Sequence, residues 1–190
     1  MKAKSMKLTA LLAAVIVCGV TFQADAQGRK KTKPDASPGA SITQVIGADS
    51  KITVNYHRPA VKEREIWGGL VPYGKTWRAG ANETTTISFS DNVTINGKKL
   101  AAGTYGFHIV PQKEGKWTLI FNKVSESWGS MDYDEAQDAL RVEADVTSAA
   151  NQERLAYGFE ELTPVGGATG ATAFMHWEKK KVSFRIELDD

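Results

Sequence analysis

Cysteine is nearly absent from this sequence: the single copy, Cys18, falls inside an apolar run close to the N-terminus. That run, LTALLAAVIVCGVTF, follows the basic MKAKSMK and leads to Ala24-Asp25-Ala26, the order of a secretory signal peptide with Gln27 as first mature residue. It is shorter than the roughly 20 apolar residues that cross a bilayer. No later stretch comes close, so no transmembrane segment is expected. Cleavage after Ala26 removes the cysteine, and with it disulfides and thiol chemistry. The alternative, a lipoprotein acylated at Cys18, puts the bulky Val17 where a small residue is expected. The predicted address is periplasmic or extracellular.

Net charge is lacking as well. The formal +2 falls to zero on processing, since removing Lys2, Lys4, Lys7 and Asp25 takes 24 basic and 22 acidic residues to 21 of each. That balance supplies no field for nucleic acid, and no nucleic-acid motif is present. The local run GRKKTKP at 28–34 reads as a solvated, flexible basic leader covering residues 27–40. Taking 26 residues from 190 leaves 164, the length of one domain with a sizeable core, expected over residues 41–190.

Long helical periodicity is missing throughout, apart from a turn around Tyr133 to Ala139. Period-two alternation of β-branched and aromatic residues takes its place. SITQVIG and KITVNYH flank Ala48-Asp49-Ser50, and Ile52, Val54 and Tyr56 share a face. TTTISFS directs Ile87 and Phe89 to the core. NVTINGKKL carries the hairpin pair Asn96-Gly97, and GTYGFHIVP with GKWTLIFNK forms another hairpin across QKE. LRVEADVT, ERLAYGFEEL, ATAFMHWEK and KVSFRIEL follow. The expectation is an all-β, single-domain antiparallel β-sandwich, jelly-roll-like, of about ten strands. One long irregular loop, about 57–83, interrupts it; loops of that length tend to be functional. GGATGAT at 166–172 lacks the Lys-Ser/Thr ending and following helix of a phosphate loop, and reads as a hairpin tip.

Several motifs carry a family resemblance. VNYHRPAVKEREIWGGLVPYGKTWRAGANETTTISFS, VTINGKKLAAGTYGFHIVP, WTLIFNK, SWGSMDYDEAQDALRV and FRIEL together resemble the bacterial family called domain of unknown function 2911, from Ser37 to Leu188. VPYGKTWRAGANETT is the most specific part. The resemblance implies a secreted or periplasmic β-protein and assigns no activity. It associates the forms YSRP and WRTGANE with positions that here read YHRP and WRAGANE, making His57 and Ala79 departures.

Catalytic signatures are scarce: there is no G-x-S-x-G elbow and no HExxH spacing. Strand parity puts His57 opposite Tyr56, and His108 opposite Phe107 and Ile109, while the parity of His176 is ambiguous. Glu83, His108 and His57 are the candidates for acid-base work; no metal site and no cofactor is predicted.

The stronger constellation is one for binding, made of Tyr56, Arg58, Arg64, Trp67, Trp77, Arg78, Asn82, Glu83 and Trp128. Arginine offers a planar fork, Asn and Glu a donor-acceptor set for hydroxyls, and tryptophan a flat apolar face for a sugar ring. The competing structural reading makes Arg78 and Glu83 a buried ion pair, with Trp67 and Trp77 as plugs at the end of the sandwich. The leading functional expectation is a protein that binds a small polar or carbohydrate-like ligand near Trp77 to Glu83. The alternatives are a periplasmic hydrolase or metal-assisted enzyme using Glu83 and His108, and a structural or protein-interaction envelope domain whose exposed strand edges make contacts.

Overall fold

The computed structural model describes residues 35–162 and 169–189. The expected signal peptide, most of the basic leader and residues 166–168 of the glycine-rich turn lie outside the described residues. Among the described residues there are nine strands: β1 (Gly39–Ile46), β2 (Ser50–His57), β3 (Thr86–Phe89), β4 (Val93–Ile95), β5 (Lys98–Leu100), β6 (Gly103–Val110), β7 (Trp117–Asn122), β8 (Asp138–Glu160) and β9 (Gly170–Leu188). β1 starts at Gly39, inside the segment read as leader. A single turn of 3-10 helix, Glu135–Gln137, precedes β8 and is capped by the Asp134 carboxylate, which accepts from the Ala136 N–H.

All pairings are antiparallel, in the order β1-β2-β3-β6-β7-β8-β9-β4-β5. The all-β expectation therefore holds, with nine strands instead of about ten. Two pairs of expected strands are continuous: LRVEADVT runs into ERLAYGFEEL as β8, and ATAFMHWEK into KVSFRIEL as β9. No glycine or proline stands between the members of either pair to turn the chain. The mismatch is absorbed inside the ladder instead, as register shifts between Ser148 and Gln152 and between Gln152 and Ala156. His176 Nε2 lies 2.9 Å from the Ala150 carbonyl oxygen in that irregular stretch.

β8 changes partner along its length. Asp138 to Ala144 pair with β7, and Asp145 to Glu160 pair with β9. The ladder thereby folds over, and apolar residues from its two parts meet. The Phe184 ring of β9 is 5.7 Å from Phe107 and 6.3 Å from Phe121, and Tyr56 of β2 is 4.7 Å from Tyr157 of β8. Alternation makes this possible: Ile52, Val54 and Tyr56, then Ile87 and Phe89, then Met175 and Trp177 all point inward. Each such side chain contributes about 1.5–3 kcal/mol by leaving water. The Asn96-Gly97 turn has φ of 47° and 78°, the left-handed pair that a two-residue hairpin requires.

Residues 58–85 form no named strand but are fastened at both ends. The Val61 N–H donates to the Glu153 carbonyl at 2.8 Å, and Leu155 N–H to Pro59 at 3.0 Å. Further on, Trp77 and Ile109 exchange backbone bonds at 2.9 and 2.8 Å. Between these anchors Trp67 packs 4.6 Å from Trp117 and 5.8 Å from Trp177, while Trp77 stacks on Trp177 at 5.7 Å. The segment closes one end of the folded sheet with tryptophan. No helix among the described residues is long and apolar enough to cross a membrane.

Candidate functional site

The stretch from Trp77 to Glu83 is held by its own backbone. Ala79 and Asn82 adopt φ of 52° and 56°. The Ala79 carbonyl accepts from Tyr157 Oη at 2.8 Å and Thr85 Oγ1 at 3.2 Å, and Trp77 Nε1–H donates to the Gly80 carbonyl at 3.1 Å. Gly80 is required sterically, because a Cβ there would stand 2.6 Å from Thr85 Oγ1. This framework sends the side chains to two cavities, with Glu83 on one and Arg78 and Asn82 on the other.

The first is a cleft of about 590 Å³ between the ends of β1 and β2, the start of β3, and residues Ser125 to Trp128. His57 turns out of β2, opposite Tyr56, and its Nδ1 lies 3.3 Å from Glu83 Oε2. Asn55 Nδ2 donates to Thr86 Oγ1 at 3.4 Å. The facing wall is tied down through Thr84: its N–H donates to Ser127 O at 3.0 Å and its hydroxyl donates to Gly129 O at 2.6 Å. With that hydrogen committed, the Ser127 hydroxyl, 2.8 Å away, is the donor to Thr84. Trp128 stands at the rim, 56% exposed. The cleft thus offers an open indole, two carboxylates (Glu83 and Glu126), an imidazole, an amide and hydroxyls.

The second cavity, about 300 Å³, is walled by Arg64, Trp77, Arg78, Asn82 and Trp177, among others. Burial lowers the Arg78 guanidinium below its ordinary pKa, and its Nε is buried without a partner. Asn82 Nδ2 reaches Asp35 Oδ2 and the Ser37 carbonyl, both at 3.4 Å.

The nine residues of the binding constellation therefore separate. Glu83, Trp128 and Tyr56 line the first cleft; the Tyr56 side chain is buried, its hydroxyl accepting from the Tyr157 N–H at 3.3 Å. Arg64, Trp77, Arg78 and Asn82 line the second. Arg58 lines neither: its Nε donates to the Leu155 carbonyl at 2.9 Å and ties the loop to β8. Trp67 is core, as the plug reading has it, whereas the other half of that reading does not hold. Among the described residues no ion pair joins Arg78 to Glu83, whose carboxylate meets His57 instead.

His108 stands apart from the cleft. It is buried under the segment after β7, with Nδ1 3.2 Å from Ser130 Oγ and its ring 5.2 Å from Tyr133. Burial pushes its pKa down to about 4, and the charge of Asp138 opposes this only in part. Among the described residues no group of three or more His, Cys, Asp or Glu is arranged to hold a metal. Sequence reasoning missed Asn55, Thr86, Glu126 and the Ser125 and Ser127 hydroxyls. The signal is present for three of them, because Ser125, Glu126 and Ser127 directly precede Trp128 in the sequence.

Fold and cavities together define an all-β protein on one antiparallel sheet, with openings on both sides of the Trp77 to Glu83 stretch. The chain belongs to the family described as protein of unknown function (DUF2911), whose family model matches residues 37–186. No curated protein and no solved structure matches it.

Proposed function

We propose that this is a secreted, non-enzymatic protein of the periplasm or cell exterior that holds a small polar, carbohydrate-like ligand in the cleft beside Trp128. The observation that carries the reading is the exposed indole of Trp128 at the rim of a cleft of about 590 Å³ whose other side holds the His57–Glu83 pair. A sugar ring has an apolar face, which suits an indole, and a rim of hydroxyls that need donors and acceptors together. Glu83 and Glu126 accept, the Asn55 amide donates, and the Ser125 hydroxyl does either. A volume in the middle of the small-ligand range accommodates one or two sugar units.

The test is titration of the protein with a panel of neutral mono- and disaccharides while the five tryptophan indole N–H resonances are followed by NMR. A bound sugar shifts the Trp128 indole, and Trp128→Ala, assayed by calorimetry because it removes that resonance, abolishes binding without lowering the melting temperature. If no sugar at millimolar concentration moves that resonance, the carbohydrate reading is wrong.

A second reading draws on the 3.3 Å contact of His57 with Glu83, which is the geometry of an acid-base dyad beside an open cleft. Incubation with the same sugars as aryl glycosides separates the two. The binding reading requires that they be recovered intact; release of the aryl alcohol, lost in Glu83→Gln, establishes hydrolysis.

A further inference from the structure

Two residues that line the second cavity carry a buried side-chain nitrogen without a hydrogen-bond partner among the described residues, Arg78 Nε and Trp177 Nε1, and a third such nitrogen, Trp67 Nε1, belongs to the ring packed against Trp177. Trp67 and Trp177 are packed 5.8 Å apart, and Trp177 shares the wall of the second cavity with Arg78. All three are N–H donors. A buried donor left unpaired is destabilising, and such groups are rare in folded proteins. Here they gather where the charge is positive. Arg64 commits its Nε to the Val61 carbonyl at 3.0 Å and one terminal nitrogen to Ala60 at 2.6 Å, whereas Arg78 forms no ion pair with any described carboxylate. The matching partner is a group that only accepts hydrogen bonds and carries negative charge.

We propose that the second cavity binds a carboxylate borne on a small apolar body. The Arg78 fork takes the two oxygens side by side, the bidentate geometry that distinguishes guanidinium from ammonium. Leu70, Val71 and the Trp77 and Trp177 rings surround the body. The volume of about 300 Å³, at the lower end of the small-ligand range, favours a carboxylate over a bulkier phosphate ester. A doubly charged, strongly hydrated phosphate needs more donors than one free guanidinium supplies. Its opening is distinct from the cleft at Trp128, although the Arg78 guanidinium lies beside Gly129, the residue that follows Trp128. A free organic acid and the C-terminus of a peptide present the same chemistry.

The test uses the full chain labelled with nitrogen-15 and follows the Arg78 Nε–H and Trp177 indole resonances. The probes are N-acetyl-leucine and its neutral counterpart N-acetyl-leucinamide, and a pentapeptide ending in leucine with a free or amidated C-terminus. The acid is expected to shift both resonances and the amide neither. Arg78→Gln is expected to weaken binding at least about tenfold, and Arg78→Lys, which keeps the charge and loses the fork, by an intermediate factor. Tighter binding of the free-ended peptide than of the acid assigns the site to peptide termini; binding of the acid alone assigns it to small organic acids. Resonances unmoved by any carboxylate at millimolar concentration, or moved equally by acid and amide, overturn the proposal. Should Arg78→Gln fail to fold, the acid-amide contrast in the unaltered chain decides alone. The Trp128 resonance, read in the same spectra, reports separately on the other cleft.

Discussion

His57 Nδ1 lies 3.3 Å from Glu83 Oε2, joining the end of β2 to the end of the loop that returns over it. Glu83 is 58% exposed and His57 26%, so the contact is screened by water. Exposed pairs of this kind contribute about 0–1 kcal/mol. Glu83→Gln and His57→Ala should each leave the urea-unfolding free energy within about 1 kcal/mol of the original. A loss of several kcal/mol from either would make the pair a structural clamp and remove it from the functional argument.

Gly106 of β6 controls the far wall of the same cleft. A Cβ at this position would stand 2.3 Å from the Val124 carbonyl oxygen, a backbone atom that no side-chain rotation can move. Gly106→Ala must therefore displace the chain at Val124, and with it Ser125 to Trp128. The expected cost is about 1–3 kcal/mol, the range for overpacking a tight contact. The Trp128 indole resonance should shift as well. An unchanged melting temperature with an unmoved indole would show that the wall is not set by this contact.

The scaffold was readable because each strand carries its own evidence. Ile52, Val54 and Tyr56, or Ile87 and Phe89, alternate in a way that a half-buried strand requires, whatever its partner is. The continuity of β8 and β9 was not readable, since a bulge at Ser148 to Ala156 leaves no mark as clear as a glycine or proline. At the candidate site, parity put His57 on the outer face of β2, but nothing local says which part of residues 58–85 comes back over that face. Hydrogen bonds to Ile109, Glu153 and Leu155, distant in sequence, decide it. Arg78 and Glu83 looked like partners because they are close in sequence. The left-handed residues Ala79 and Asn82 turn the chain between them and deliver the two side chains to different cavities.

Arg58 tests the claim that the loop is fastened by long-range bonds. Its Nε donates to the Leu155 carbonyl at 2.9 Å, and its own carbonyl accepts from Arg154 Nη1 at 3.2 Å. A hydrogen bond from a charged donor contributes about 1.5–3 kcal/mol. Arg58→Ala should destabilise by that amount, and Arg58→Lys should recover only part of it, since an ammonium does not reproduce the directed Nε–H. Denaturation showing no loss for Arg58→Ala would mean that the backbone bonds of Val61 and Leu155 suffice.

His108 gives the fold a pH dependence whose sign follows from its burial. Its pKa is pushed down to about 4 from 6.5, first by desolvation, with the charge of Asp138 acting against it. Between these values the unfolded chain binds a proton that the folded chain refuses, so stability declines as pH falls from about 6.5 to about 4. Below that interval both states are protonated and the contribution is flat; above it neither is. The slope reaches at most about 1.4 kcal/mol per pH unit, and the whole interval amounts to on the order of 3 kcal/mol. Other groups titrate in the same range, so the measurement is a difference. Urea unfolding of the original chain and of His108→Gln, whose amide can still bond Ser130 Oγ but does not titrate, is followed from pH 7 to pH 4. The original should lose stability faster than the variant as the solution is acidified. Parallel curves would mean that the imidazole is reached by water and protonates in the folded state.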